Sequence, residues 1–509
     1  MATGQGEANR VAITGCIMLA TLIQALDTTI ANVALPYMQG SMAASQDQIN
    51  WVLTSYIVGA AIMTPPTGWI TMRFGRTRVL MTAIAGFTVT SVLCGMAQSL
   101  EQIVLFRFLQ GTFGAALVPL SQTVMLDIYP RESQGKAMAI WGMGVMVGPI
   151  LGPTLGGWLT EYYNWRWVFY INVPLGFIAF FGIARFLTET RLDRSRPFDW
   201  FGFVALSLGL GAAQLMLDRG EQLDWFSSPE IITEAVLAGT GLYAFIVHCV
   251  LGEHPFITPQ IFRDRNFVMG VGFMFMVSMI LFSTMALMAP FLQNQLGYPV
   301  LDAGLALAPR GAGTMLSMMV VGRLIGRVDS RYLVFFGFGT MAVSLWGMTD
   351  FTPDVSYSTI VWTGFYQGIG MGFVFTPLST LTFATLAAEL RPQAASLFAL
   401  MRSMGGAIGI SVLSSLLLSS LQANHADISA YVTPFNRLLQ SGAGLRFWNP
   451  ASVPGRAMLD GEITRQAMAI AYIDDFWLIM VIALLAMPLI LMLKAPGRVT
   501  IKQADVAME

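Results

Sequence analysis

Four ionisable side chains stand deep inside long apolar stretches of this 509-residue chain: Asp27, Arg107, Arg310 and Arg402. A charge within a bilayer span costs about 3 kcal/mol even on the most lenient scale, so each needs a reason to be there. Asp27 sits about 24 Å along a helix entered from its N-terminal side. Arg107 sits about 9 Å from the far end of a helix running the other way, or about 21 Å up a core of about 30 Å. The two depths agree, so the residues are expected to pair side by side. In such a pair Arg107 favours the charged carboxylate, and substrate or a change of conformation returns the proton. A carboxyl whose protonation depends on its cavity is a coupling device. The alternative is a structural ion pair that fixes helix register. Asp27 reads as the one acid well inside an apolar span, because Asp302, Asp350 and Glu101 fall at outer ends and Asp127 near an inner end. Arg402 has the alternative of snorkelling to the interface. If it faces the cavity with Arg310, the cavity is electropositive and suits neutral or anionic guests better than dications.

These residues need helices to carry them. The chain is 55% hydrophobic and only 11% charged, where soluble proteins run to about 25% charged. A net charge of -1 gives no case for nucleic acid, and Cys16, Cys94 and Cys249 imply no disulfide framework. A spanning helix needs about 20 apolar residues, which predicts fourteen spans: 11–36, 50–71, 79–97, 101–126, 136–160, 166–187, 198–217, 231–251, 267–290, 301–322, 332–350, 356–382, 394–421 and 474–494. The first lacks a small-residue cleavage site and reads as a retained anchor. With the N-terminus inside, one side collects Arg10, Arg73, Arg76, Arg78, Arg131, Lys136, Arg185, Arg191, Arg194, Arg196, Arg263, Arg265, Arg323, Arg327, Arg331, Arg391, Lys494, Arg498 and Lys502. The short loops of the other side hold only Arg166 and Arg219. The positive-inside rule then puts both termini in the cytoplasm.

An internal echo divides the chain. Gly68 to Arg73, closing the second span, matches Gly322 to Arg327, closing the tenth. Gln110-Gly111 before Pro119-Leu120-Ser121 matches Gln367-Gly368 before Pro377-Leu378-Ser379. The offset is eight helices, so an all-α membrane protein of six, two and six helices is expected, the layout of major-facilitator transporters with a site between the halves at mid-membrane. The boundaries are 1–190, 191–262 and 263–509. Gly364 stands where the second half would match Arg107. Proton chemistry is therefore assigned to the first half and substrate shaping to the second.

Gly144, Gly148, Gly152 and Gly156 recur every four residues and make one smooth face, with Gly157 beside it. Pro149 and Pro153 remove backbone donors there and should bend the helix. The face serves either tight packing or sliding against the other half during alternating access.

Leu26-Asp27-Thr28-Thr29-Ile30-Ala31-Asn32-Val33-Ala34-Leu35-Pro36 resembles the first-helix signature of the fourteen-helix drug:proton antiporters of the EmrB/QacA type. Arg107-Phe108-Leu109-Gln110-Gly111 resembles the family's fourth-helix motif, whose arginine is implicated in proton transfer, and Gly144 to Gly157 its fifth-helix antiporter motif. Leu217 to Ser228 is similar to the EmrB branch. The resemblance spans nearly the whole chain. It implies proton-driven efflux of hydrophobic small molecules without a cofactor, from the inner membrane of a Gram-negative cell, with a periplasmic adaptor and an outer-membrane channel as partners. Asn32, Arg310, Gln367 and Arg402 are the expected cavity residues. Gly68-Trp69-Ile70-Thr71-Met72-Arg73-Phe74-Gly75-Arg76 resembles the superfamily's gating loop but has Met72 where an acid is usual. Either Arg73 or Arg76 is then left to pair with Asp127, or both serve only topology. The outer segment 422–473, with Arg437, Arg446, Arg456 and Arg465 among Phe435, Phe447 and Trp448, reads as a long loop with a helix at 456–473. It either docks the adaptor or lies unstructured or on the membrane surface.

Other classes fit less well. A primary pump would want a G-x-x-x-x-G-K loop, which none of the lysines occupies, and Gly368-Ile369-Gly370-Met371-Gly372 lies inside a span as a packing feature. An enzyme would want a nucleophile–base pair or metal ligands, but His248, His254 and His425 are scattered. A nutrient uptake carrier and a non-transporting receptor or sensor stand as alternatives. Lipophilic weak acids, uncouplers or fatty-acid-like compounds are the expected cargo, monovalent cations next.

Overall fold

Apolar segments in hydrocarbon must satisfy their backbone internally, which leaves the helix as the open-chain solution, and helices are what the chain forms. The computed structural model describes residues 2–130, 133–189, 197–252, 255, 257–433, 448 and 452–493. In order the helices are α1 (Ala2–Ser41), α2 (Gln46–Met63), α3 (Thr67–Phe74), α4 (Arg76–Met96), α5 (Leu100–Gly114), α6 (Leu117–Ile128), α7 (Gln134–Tyr162), α8 (Trp167–Tyr170) and α9 (Asn172–Phe186). There follow α10 (Trp200–Arg219), α11 (Pro229–Leu251), α12 (Arg265–Pro290), α13 (Val300–Leu324), α14 (Ser330–Thr349), α15 (Tyr357–Ala384), α16 (Arg391–Ala430) and α17 (Val453–Leu489).

Among the described residues twelve helices are long and apolar enough to cross a membrane, against the fourteen expected. The chain is a multi-pass membrane protein. Two expected spans fall short for different reasons. The segment 50–71 is interrupted at Pro65-Pro66, which lack amide protons, so α2 ends at Met63 and α3 restarts at Thr67. The segment 356–382 forms α15, 28 residues long, but its Gly, Ser, Thr and Gln residues lower its hydropathy.

Two sets of helices pack mainly within themselves. In the first, α1 lies along α7, and α5 lies against α2 and α4. In the second, α15 lies against α13 and α14, while α16 lies against α12 and α17. Between them in sequence, α10 and α11 pair with one another, and α10 leans on α2. The end of the bundle holding Arg73, Arg76, Arg323, Arg327 and Arg391 is termed here the basic end. There α16 of the second set rests on α3 and α6 of the first, and α13 and α15 rest on α7. Trp141 stacks on Phe375 across this seam, with ring centroids 5.9 Å apart.

The last two helices overrun the membrane. α16 has 40 residues and α17 has 37, about 60 and 55 Å of rod against a hydrocarbon core of about 30 Å. They pack together, and His425 reaches Asp460 at 3.1 Å between their projecting parts. The expected outer loop 422–473 is thus largely a helical hairpin. Its second arm starts at Val453, ahead of the expected 456, because Ser452 caps it by accepting from the Gly455 amide at 3.1 Å. Phe435, Arg437, Arg446 and Phe447 fall outside the described residues, as do Arg131, Arg191, Arg194, Arg196, His254, Lys494, Arg498 and Lys502.

Candidate functional site

The bundle brings Asp27 and Arg107 into direct contact. Nη1 of Arg107 lies 2.5 Å from Oδ2 of Asp27, and the two side chains are 1% and 0% exposed. The other carboxylate oxygen accepts from Gln110 Nε2 at 2.9 Å and from Asn172 Nδ2 at 3.0 Å. Arg107 makes two more bonds inside the same nest, Nε to the Val52 carbonyl at 3.0 Å and Nη1 to Gln110 Oε1 at 2.8 Å. Its guanidinium carbon stands 4.3 Å over the Tyr56 ring, a favourable placement for a desolvated cation. Asn172 is fixed in turn by Ser91, whose hydroxyl donates to the Phe169 carbonyl. Five helices, α1, α2, α4, α5 and α9, therefore converge on one carboxylate.

Asp27 thus receives three hydrogen bonds, one each from Arg107, Gln110 and Asn172. Deleting one partner of such a buried pair costs about 3–5 kcal/mol, because the other charge is left without its counter-charge.

The glycine face of α7 has a partner within its own set. A side chain at Gly148 would run into the backbone of Ala25, and one at Gly152 into Thr29 and Ile30, while Gly144 faces Met18 and Gly156 faces Ile30. Thr29 Oγ1 donates to the Gly148 carbonyl at 3.1 Å, which locks the two helices. Sliding against the other half is therefore not what this face does: α7 meets α13 with other residues, Gly135 on Ile325 and Gly142 on Met318. Gly157 has only Val33 in reach, and the helix runs unbroken through Pro149 and position 153.

At the basic end Asp127 gathers charge from both sets. Arg76 reaches its Oδ2 at 2.7 Å and Arg391 its Oδ1 at 3.5 Å. Arg73 lies in the last turn of α3. Gly68 backs directly onto Gln393 of α16, and Ser396 Oγ lies 3.5 Å from the Pro65 carbonyl. Gly75 has φ +94, a conformation an L side chain resists. A Cβ there would also strike the Glu189 carboxylate, which caps α4 by accepting from the amides of Thr77 and Arg78 at 3.0 and 3.2 Å.

The four expected cavity residues are dispersed. Asn32 is exposed, Arg402 is half-buried, and Arg310 and Gln367 are buried. Arg310 Nη2 donates to the Leu281 carbonyl at 3.3 Å, and Gln367 Nε2 to Thr284 Oγ1 at 3.2 Å. Sequence reasoning missed Asn172, Ser91, Tyr56 and Arg391. It also missed Asp475, an acid only 2% exposed inside α17 whose Oδ2 has no hydrogen-bond partner among the described residues. An amide such as Asn172 in an apolar span is itself a signal for an interior contact.

Comparison with known proteins agrees with this architecture. The Major Facilitator Superfamily pattern matches residues 17–410. The chain is 35% identical to the fatty acid resistance protein FarB of Neisseria gonorrhoeae, covering 95% of this chain and 96% of that one. It is also 35% identical to the multidrug export protein EmrB of Escherichia coli K12, covering 96% of each. Two solved structures share the fold at low identity. The human organic anion transporter MFSD10 has a TM-score of 0.61 at 14% identity, over 93% of this chain and 99% of that one. The proton:xylose symporter XylE has a TM-score of 0.59 at 13% identity, over 94% and 95%. On the match to its pattern and the length of these alignments, the chain belongs to the major facilitator superfamily.

Proposed function

We propose that this protein is a proton-coupled multidrug exporter, driving hydrophobic compounds out of a bacterial cell as protons enter. The observation that carries the reading is the Asp27 carboxylate, fully buried and shared among Arg107, Gln110 and Asn172. An ionisable group inside a membrane marks a functional site by default, and proton relay is one of the roles such a carboxyl fills. The relatives named for multidrug export and fatty acid resistance, aligned over nearly their full length, support the cargo class.

In this scheme the chain crosses the inner membrane fourteen times, as six, two and six helices with both termini in the cytoplasm. The two spans that lack the apolar length are α2 with α3, and α15. Residues 1–190 carry the proton site and residues 263–509 shape the cargo site. The basic end is the cytoplasmic gate, closed by Asp127 with Arg76 and Arg391. The proton gradient is the energy source, and no cofactor takes part. The projecting hairpin of α16 and α17 suits a periplasmic adaptor, through which cargo passes to an outer-membrane channel.

The test is proton movement in proteoliposomes holding the native protein or Asp27→Asn, with a lipophilic weak acid added and protein-free vesicles as the control for its leak. Substrate-driven flux in the native protein, absent in a variant that still binds substrate, supports the scheme. Normal flux in the variant would reduce the Asp27–Arg107 pair to scaffolding.

A further inference from the structure

The two helix sets repeat one packing detail closely enough to be compared residue by residue. In the first set a Cβ at Gly111 would meet the Tyr56 carbonyl, and one at Gly59 would meet the Phe108 carbonyl. In the second set a Cβ at Gly368 would meet the Arg310 carbonyl, and one at Gly313 the Phe365 carbonyl. The α13–α15 pair is thus the counterpart of the α2–α5 pair. Arg310 stands where Tyr56 stands, Gln367 where Gln110 stands, and Gly364 where Arg107 stands.

The second set has therefore kept the glutamine but carries its arginine on the neighbouring helix, facing Gly364. A Cβ on Gly364 would lie 3.8 Å from that of Arg310. What the second set lacks is the acid. Asp27 answers Arg107 in the first set, whereas α12 offers Arg310 only the Leu281 carbonyl and offers Gln367 only the Thr284 hydroxyl. Among the described residues no carboxylate lies within ion-pair distance of Arg310, and its Nε and the Oε1 of Gln367 have no hydrogen-bond partner. Arg310 is 8% exposed. A buried guanidinium without a counter-charge is costly, and a planar anion is the group its fork fits.

We propose that Arg310, with Gln367 beside it, receives the carboxylate of a lipophilic organic acid, which takes in the second set the place that Asp27 takes in the first. The assignment rests on the export reading only in naming that acid as cargo. Arg310 discriminates the charged head of such an acid from a neutral one. Thr284 is the neighbour that leaves the position open to an outside acid.

The experiment measures equilibrium binding of radiolabelled dodecanoate and of dodecanamide, its neutral counterpart, to the full-length protein in lipid nanodiscs, with protein-free discs as background. The native protein is expected to prefer the carboxylate by at least about tenfold, as one charge-assisted hydrogen bond supplies. Arg310→Gln should remove that preference and Arg310→Lys should keep part of it. Thr284→Asp, which supplies an internal acid, should also remove it while the fold, checked by thermal unfolding, persists. Equal binding of the two ligands by the native protein, or a preference that survives Arg310→Gln, overturns the proposal. Repeating the series in chloride and in a chloride-free zwitterionic buffer separates an organic from an inorganic anion. A site that takes chloride and shows no dodecanoate preference without it also overturns the proposal. Binding is read without a proton gradient, so this result and the Asp27→Asn flux result fail independently.

Discussion

Arg391 of α16 meets Asp127 of α6 across the two helix sets at 3.5 Å, while Arg76, from Asp127's own set, holds the other carboxylate oxygen at 2.7 Å. One acid thus ties a contact within one set to a contact between the sets. Met72 stands where the superfamily's gating loop usually has an acid, and among the described residues Asp127 is an acid that joins the sets at this end. Asp127→Asn keeps the shape and removes the charge. Spin labels at positions 78 and 323, with the three native cysteines replaced by alanine, should then report longer distances. A loss of about 1–2 kcal/mol raises the separated fraction about five- to thirtyfold. An unchanged distance distribution would show that the apolar seam alone closes this end.

A second expectation concerns stability rather than transport. Asp27→Asn leaves Arg107 buried without a counter-charge and should cost about 3–5 kcal/mol. Replacing both partners, Asp27→Asn with Arg107→Met, should recover much of that loss while proton flux stays absent. Thermal unfolding of the purified protein in detergent reads the first effect and proteoliposomes the second. If the double variant is no more stable than the single, the pair's neighbours, not the charge, set the penalty.

The glycines of α7 should differ sharply in what they tolerate. Gly148→Ala forces a methyl group into the Ala25 backbone and should lose about 1–3 kcal/mol or fail to fold. Gly157→Ala meets only Val33 at 4.0 Å and should behave as the native protein. Folded yield by size-exclusion chromatography separates the two. Equal yields would mean that α1 and α7 are not locked as described.

The hairpin tip offers a test of partnership. Joining α16 to α17 by a short glycine–serine linker in place of residues 431–452 should leave substrate-driven proton flux in vesicles near native. If the hairpin seats a periplasmic adaptor as proposed, the same protein should no longer retain a co-produced adaptor on affinity capture. Retained capture would move the docking surface elsewhere.

The ionisable half of the site was legible because a charge in an apolar run stands out by residue type alone, and matched depths brought Asp27 to Arg107. Asn172 and Ser91 escaped because neutral polar groups barely disturb hydropathy, and they lie far from Asp27 in the sequence. The spacing of Gly144, Gly148, Gly152 and Gly156 announced a close approach but could not say to which helix, and the wrong neighbour was the more mechanistic guess. Length rules count apolar residues, so they stopped α16 at 421 and started the last span at 474. The polar continuation of α16 went unseen, that of α17 was read as a separate helix at 456–473 when it is one with the last span, and Asp475 was missed because a residue at the presumed edge of a span looks solvated. Pro65-Pro66 was read through, although two missing amide protons are enough to end α2.

α16 is a single helix from Arg391, whose guanidinium reaches Asp127 at one end of the bundle, to Ala430 in the hairpin. Over about 60 Å of rod, a tilt of about 10° about its foot carries the head through about 10 Å. The far tip therefore travels much farther than the foot, and a protein seated there would register a tilt of α16 that barely shifts the Arg391–Asp127 contact.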